Sequence, residues 1–202
     1  AEEPVRFAAE ELKRYLGRIL QARGSAGGRA LRIRLETTAD SSLTDEGFEF
    51  SIGEDAFRIR GGGPPGVLYG VYEFLRRYGG CRFSGLGPDG EHVPFLPEIR
   101  LPRRKIRRVP RLWYRGLQFS RLSDPALMIQ RLDWMAKNGM NFVMIHPRPD
   151  VPENEIVEGR DPATGAVIYS SVSNVFTTPW FRKHLLPEVV KRGLKVDMNH
   201  HN

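Results

Sequence analysis

The alternation of apolar and polar residues predicts an α+β region in the first half of the chain. Apolar residues recur at helical spacing over residues 4–21 and again over residues 67–78. Between these two predicted helices, apolar and polar residues alternate in short segments, as in half-buried strands: residues 31–36, 48–52 and 57–59. Gly53, Glu54 and Asp55 separate the last two segments and predict a hairpin.

The second half is organised around residues 112–146, which predict a strand, a helix and a second strand. Residues 112–119 are rich in aromatic and apolar residues and predict a buried strand. Asp124 and Pro125 are suited to the N-cap and the first helical position, and Asn138-Gly139 is suited to the helix end. Residues 140–145 form a mainly apolar run without polar alternation, which predicts a strand buried on both faces. Short connections between these elements predict a parallel sheet.

A long connection and a third strand complete the pattern. Residues 147–178 exceed the usual length of a loop, and they contain a predicted hairpin around residues 161–165. Pro187 is expected to break the helix that follows, and residues 194–198 predict a third strand. In a βα barrel such a loop lies at the carboxyl-terminal face of the strands, where sites are built.

Composition favours an ordinary globular protein and leaves the cellular compartment open. The 202 residues are 40% hydrophobic and 27% charged, and no stretch approaches the roughly 20 apolar residues of a membrane span. The only cysteine, Cys81, excludes an internal disulfide and is expected to be a buried structural residue. Because the chain starts inside a predicted helix and without a methionine, we expect that a leader is missing.

The formal charge of +7 is concentrated in residues 100–111, which contain basic residues and no acidic one. Pro102 and Pro110 bracket this run and favour an extended, solvated linker between two domains. A nucleic-acid-binding arm is the alternative, and the absence of interleaved aromatic residues argues against it. The glycine-rich residues 61–66 lack the lysine and hydroxyl residue of a phosphate-binding loop, so a structural turn is favoured there.

Several segments resemble glycoside hydrolase family 20 and α-glucuronidase-like proteins. Residues 66–80, GVLYGVYEFLRRYGG, followed by EHVP and IRLP, resemble the small α/β domain before the barrel in these families. Arg115-Gly116, the DWMAKNGMN helix and a strand ending in His146 resemble the barrel entry of family 20. Arg192-Gly193-Leu194 before KVDMNHHN resembles its third barrel strand. The first predicted helix lacks the strand that precedes it in the family.

The resemblance implies an accessory α+β domain over residues 1–99, the basic linker over 100–111, and the start of a (β/α)8 barrel over 112–202. The expected fold class is therefore α/β, with an incomplete barrel whose exposed edges should make the isolated chain poorly stable. A barrel carries its functional residues at the carboxyl ends of its strands, where we expect Arg115, His146 and His200. The resemblance implies that these three residues bind the sugar, Arg115 by donating to adjacent hydroxyls.

No cofactor or metal is expected. Adjacent His200 and His201 would point to opposite faces of a strand, so only one can easily join a site with His146. Cleavage of a glycosidic bond needs two carboxyl groups, or one acid helped by a substrate acetamido group. In family 20 the acid pair follows the fourth strand, so we expect the catalytic acids downstream of this chain. The alternatives are a non-catalytic carbohydrate-binding protein and, from the basic run, a nucleic-acid-binding protein.

Overall fold

The structure is a computed structural model, and it places the chain in two compact units, residues 1–113 and 114–202. It describes residues 2–20, 32–54, 56–101, 104–119, 125–145, 147–148, 157–160, 167–170 and 176–198. The described elements form a mixed α/β protein, and the described strands do not close into a barrel. Among the described helices, none is long and apolar enough to cross a membrane.

The first unit has two helices packed against a sheet, as the apolar pattern predicted. Helix α1 spans Glu3–Leu20. Strands β1 (Ile33–Thr37), β2 (Phe48–Ile52) and β3 (Phe57–Gly61) precede helix α2 (Pro64–Arg77). Strands β2 and β3 form the predicted antiparallel hairpin, and β1 pairs in parallel with β3. The predicted helices and hairpin are thus confirmed to within a few residues.

Aromatic residues build the core of this unit on one face of the sheet. Phe50 and Phe57 are buried and lie 5.7 Å apart between ring centroids, and Phe74 of α2 lies 5.3 Å from Phe57. Such contacts are favourable beyond the area they bury. Helix α1 contributes Tyr15, whose hydroxyl donates to Glu91 at 2.6 Å. Glu91 begins strand β5 (Glu91–His92), which pairs with strand β4 (Arg82–Phe83).

The glycine-rich turn before α2 is explained by close backbone packing. A Cβ at Gly62 would lie 2.1 Å from the carbonyl oxygen of Thr44, and one at Gly66 would lie 2.3 Å from that of Gly47. Pro64 begins the helix, where its missing N–H has no partner to lose. The turn therefore has a structural reason for its composition.

Part of the basic run over residues 100–111 belongs to the sheet of the first unit. Strand β6 (Ile106–Arg108) pairs antiparallel with β2 and gives the strand order β1-β3-β2-β6. Glu49 on β2 is 3% exposed, and its carboxylate lies 2.9 Å from the Lys105 ammonium. Arg107 pairs with Asp40 and lies near Glu49. An edge strand therefore lies inside the predicted linker, with carboxylates of the first unit bound to cations of this segment, and the predicted domain bounds 1–99, 100–111 and 112–202 stay predictions.

The second unit is a parallel sheet with helices on one face. Strands β7 (Gly116–Phe119) and β8 (Phe142–Ile145) flank helix α3 (Pro125–Lys137), so the predicted βαβ unit is confirmed. The remaining strand of this sheet is β13, Lys195–Met198, which pairs in parallel with β8. The order β13-β8-β7 places β8 in the centre.

The segment between β8 and β13 contains short strands and a broken helix. In chain order the elements are β9 (Pro147–Arg148), β10 (Val157–Arg160), β11 (Val167–Ser170), β12 (Phe176–Thr177), α4 (Thr178–His184) and α5 (Leu186–Lys191). Strands β10 and β11 form the predicted hairpin, and the turn residues 161–166 lie outside the described residues. The helix is interrupted next to Pro187, as predicted.

Two burial predictions for the parallel strands are wrong. Leu112, Trp113 and Tyr114 are 67–79% exposed, and the strand begins only at Gly116 with Phe119 buried. Strand β8 alternates between buried and half-buried residues instead of being buried on both faces. The reason is that helices α3, α4 and α5 of this unit pack on one face of the sheet, where they bury Phe119, Val143 and Ile145.

Candidate functional site

The carboxyl ends of the three parallel strands meet at one edge of the second unit's sheet. The register aligns Phe119, Ile145 and Met198, the last residues of β7, β8 and β13. Strand β9 begins two residues after β8 ends, so the long connection leaves from this edge. This is the edge at which α/β proteins build their sites.

His146 and His200 follow the ends of β8 and β13 in the sequence, and both lie outside the described residues. Their predicted place at the carboxyl edge and their contacts with a sugar both stay predictions. The carboxylates of the long connection, Glu153, Glu155 and Asp161, also lie outside the described residues. Of the three predicted site residues, Arg115 is the one that lies in the described part of the chain.

Arg115 lies at the opposite edge from the one that the sequence predicted. It immediately precedes β7, and its Nε donates to the carbonyl oxygen of Gly139 at 2.7 Å, in the turn before β8. The carboxyl end of β8 at Ile145 lies about 13 Å along the strand from this level. The placement of Arg115 at the carboxyl edge is therefore wrong, because the strand starts after this arginine. Its proposed role in sugar binding stays a prediction.

Asn141 was not among the predicted site residues. It forms hydrogen bonds that join the amino ends of all three strands. Its side-chain oxygen accepts from the backbone N–H of Arg115 at 2.8 Å, and its own N–H donates to the Arg115 carbonyl at 2.7 Å. Its carbonyl accepts from the backbone N–H of Lys195 at 2.8 Å. The side chain is fully buried. The sequence signal was a polar residue between two apolar ones at the start of a predicted strand.

Gly116 permits the close approach of β7 to β8 next to these hydrogen bonds. A Cβ at this position would lie 1.7 Å from the carbonyl oxygen of Phe142, so only glycine permits the observed approach of β7 to β8. The Arg115-Gly116 pair that carried the family resemblance thus has a local structural reason. The glycine permits close strand pairing, and the arginine closes the turn before β8.

A buried ion pair supports the sheet from the helical side. Arg192 is 2% exposed, and its Nε donates to Asp133 of α3 at 2.7 Å. Its Nη1 donates to the backbone carbonyl of Glu188 at 2.7 Å and contacts the Glu188 carboxylate at 2.5 Å. Burial raises the pKa of Glu188, but the hydrogen bond and charge of Arg192 outweigh burial and hold that pKa below its ordinary value. This arrangement is structural, since both carboxylates are committed to the guanidinium.

The face of the sheet opposite to helices α3, α4 and α5 carries polar residues of the strands. Phe119, Val143 and Ile145 are buried against the helices, and Val196 packs on the same cluster. Because side chains alternate along a strand, Gln118, Met144 and Asp197 point to the other face. They lie in register across β7, β8 and β13. Gln118 and Asp197 are exposed, and Met144 is half-buried.

Metal and thiol chemistry find no support in the described residues. Among them, no group of three or more histidine, cysteine or acidic side chains is arranged to hold a metal ion. Cys81 is fully buried, as predicted, and burial raises the pKa of its thiol to about 11. A thiol with this pKa is protonated near neutral pH and is a poor nucleophile.

The fold is similar to that of several solved glycoside hydrolases. An N-acetyl-β-hexosaminidase of Streptomyces plicatus matches 96% of this chain with a TM-score of 0.59 and 18% identity. A family 20 exo-β-N-acetylglucosaminidase of Vibrio harveyi matches 97% with a TM-score of 0.57 and 16% identity. A family 89 glycoside hydrolase of Clostridium perfringens matches 98% with a TM-score of 0.56 and 16% identity.

These matches cover nearly all of this chain but only 38%, 31% and 25% of the three matched proteins. No family model matches the sequence, and no curated protein matches it significantly. At 16–18% identity the comparisons show likeness of fold alone. They confirm that the fold of this chain resembles that of family 20. The relation to α-glucuronidase-like proteins stays a prediction. The chain is therefore similar in fold to part of the family 20 hexosaminidases and of the family 89 glycoside hydrolases.

Proposed function

We propose that this chain is part of a glycoside hydrolase that cleaves O-glycosidic bonds, with a hexosaminidase-like or α-glucuronidase-like activity. The supporting observation is the likeness of fold, along 95–99% of the chain, to glycoside hydrolases of families 20, 89 and 138. The matched Vibrio harveyi enzyme is in complex with N-acetylglucosamine, and a matched Clostridium perfringens glycoside hydrolase is in complex with its substrate GlcNAc-α-1,4-galactose. A carbohydrate is accordingly the proposed substrate here.

In this proposal the second unit is the first part of a (β/α)8 barrel, and the first unit is an accessory domain. His146 and His200 contact the sugar from the carboxyl ends of β8 and β13. Arg115 was predicted to share that role. Its bond to the Gly139 carbonyl favours a structural role at the amino edge. The catalytic carboxylates are proposed to come from residues beyond those of this sequence, since the matches span only 38%, 31% and 25% of the matched enzymes.

The test is hydrolysis of chromogenic glycosides by the complete gene product that contains this chain. We expect release of 4-nitrophenol from the N-acetyl-β-glucosaminide or the α-glucuronide, and no release by residues 1–202 alone. If the complete product binds saccharides but hydrolyses none of a broad glycoside panel, the second candidate holds. That candidate is a carbohydrate-binding protein with the same fold. It has the polar face of the sheet but lacks the catalytic carboxylates. Failure of both binding and hydrolysis would refute the carbohydrate assignment.

A further inference from the structure

The sheet of the first unit presents cationic side chains on the face opposite to helices α1 and α2. Phe57 and Ile59 are buried on the helix side, and because side chains alternate along a strand, their neighbours point to the other face. The outward positions of the four described strands, with Lys105 before β6, form what we call the cationic face: Arg34, Glu36, Glu49, Ser51, Arg58, Arg60, Lys105 and Arg107. Its cations outnumber its carboxylates even when Asp40, the partner of Arg107, is included.

One row of the cationic face shows how it binds a carboxylate. The register places Glu36, Arg60, Glu49 and Arg107 side by side across the four strands. The Glu49 carboxylate lies 2.9 Å from Lys105 Nζ, 3.6 Å from Arg60 Nη1 and 3.8 Å from Arg107 Nε. Glu49 is 3% exposed, whereas the three cationic side chains are 35–59% exposed. Three exposed cations therefore converge on one carboxylate at the surface of this sheet.

The next row along the strands contains two arginines and a serine. Arg34 lies in register with Arg58, and Arg58 lies in register with Ser51. Like charges directly opposite each other on neighbouring strands destabilise a sheet, so an anion bound between them would be stabilising. Both arginines also interact within the chain, and the five N–H donors of each guanidinium group allow an anion to bind as well. Beyond the strand ends, the exposed Arg32 and Glu54 offset each other in charge.

The chemistry of the cationic face favours an extended polymer with widely spaced carboxylates. Arginine binds a planar carboxylate through two parallel N–H donors. Adjacent strands are about 4.8 Å apart, so cations on several strands can bind successive charges of one polymer. Glu36 is 38% exposed among these cations and would repel the dense phosphates of nucleic acid, which carry one charge per ~1.7 Å of duplex. The outward positions of the described strands hold no aromatic residue on which bases could stack.

We propose that the cationic face is a docking surface for an acidic polysaccharide that contains uronic acid residues, with Arg34 and Arg58 binding one of its carboxylates. This inference rests on the proposed carbohydrate function and extends it to the first unit. The face holds the polymer by charge and hydrogen bonds, and it cleaves no bond. The cations around Glu49 hold the neighbouring carboxylates of the same polymer less tightly, because they already bind carboxylates of the protein.

The experiment is titration calorimetry of the 202-residue chain with oligogalacturonate. We expect binding that weakens as salt is added, because exposed charges are screened. The methyl-esterified oligosaccharide, which has no charge, should bind far more weakly. The double variant Arg34→Gln/Arg58→Gln should lose about 10-fold or more in affinity, because charge-assisted hydrogen bonds to a carboxylate are lost. If the double variant does not fold, Arg34→Gln alone, at an exposed position, should still lower the affinity.

The matched control is Arg6→Gln/Lys13→Gln, which removes the same charge from exposed positions of helix α1 and should leave the affinity nearly unchanged. Equal urea midpoints show that the variants keep the fold. If oligogalacturonate does not bind, or binds the folded Arg34 and Arg58 variants as tightly as the unchanged chain, the docking surface is refuted. Tighter binding of duplex DNA, weakened by the same variants, would overturn the polysaccharide assignment. None of these results alters hydrolysis by the complete gene product, which tests the proposed function separately.

Discussion

The tightest constraint on the parallel sheet is the approach of β7 to β8 at Gly116, and substitution of this glycine tests it directly. In Gly116→Ala the new methyl would lie 1.7 Å from the Phe142 carbonyl oxygen and 2.6 Å from its carbon. Both are backbone atoms of the central strand, so no side chain can rotate away. The strand β7 must move by about 1.5 Å to restore ordinary contact, which breaks its hydrogen bonds to β8.

The cost combines strain, lost hydrogen bonds and a loosened core. Each lost backbone hydrogen bond costs about 1 kcal/mol net, and overpacking typically costs about 1–3 kcal/mol. We therefore expect Gly116→Ala to destabilise the second unit by about 3 kcal/mol or more, a large fraction of the stability of a domain of this size. The displaced strand also carries Phe119, which is buried against Val143 and Ile145.

The assay is urea unfolding followed by tryptophan fluorescence, with hydrogen exchange at residues 142–145 to assign the loss to this sheet. Gly139→Ala is the matched control in the same unit, because its φ is +70° and no atom lies within 4 Å of the added methyl. It should cost only about 1 kcal/mol from backbone strain. If Gly116→Ala costs no more than Gly139→Ala, the close approach of the strands is not as the structure describes it.

Three further predictions concern the ion pair of Arg192 and the buried thiol. Arg192→Met should destabilise the second unit by about 2–3 kcal/mol, because Asp133 and Glu188 lose their partner in a partly buried site, and urea unfolding measures this. Because the pKa of Glu188 is lowered in the folded state, its contribution is present above the ordinary pKa and lost as pH falls below about 4.5. The melting temperature of Glu188→Gln should therefore fall less steeply in acid than that of the unchanged chain. Melting temperature measured as a function of pH tests this. Cys81 should react with a thiol reagent at pH 8 only as fast as the first unit opens, since it is buried with a pKa of about 11.

Each of these has a discriminating control. Arg192→Lys keeps the charge but loses the planar fork, so it should fall between the unchanged chain and Arg192→Met. An acid decline that is identical in Glu188→Gln and the unchanged chain would contradict the assigned role of this carboxylate. Rapid labelling of Cys81 under native conditions, at the rate seen in denaturant, would contradict its burial.

Much of the secondary structure followed from the sequence because it depends on local periodicity. The helical spacing before Gly79 and the alternation at Phe48 and Phe57 are properties of neighbouring residues, and both elements formed as predicted. The apolar residues at 142–145 specified a parallel strand for the same reason. Proline at 187 interrupted its helix because its ring is incompatible with a helix interior.

The interactions that bring distant residues together were decided by the tertiary structure. The basic run became the strand Ile106–Arg108 because Glu49, more than 50 positions earlier, lies buried on the neighbouring strand. Arg115 was assigned to the wrong edge because the strand starts at Gly116, four residues later than the apolar pattern predicted, so Arg115 precedes it. The row formed by Gln118 and Asp197 depends on the register of three strands, which local patterning does not specify. Periodicity thus determined which elements form, and strand register and long-range ion pairs determined which side chains meet.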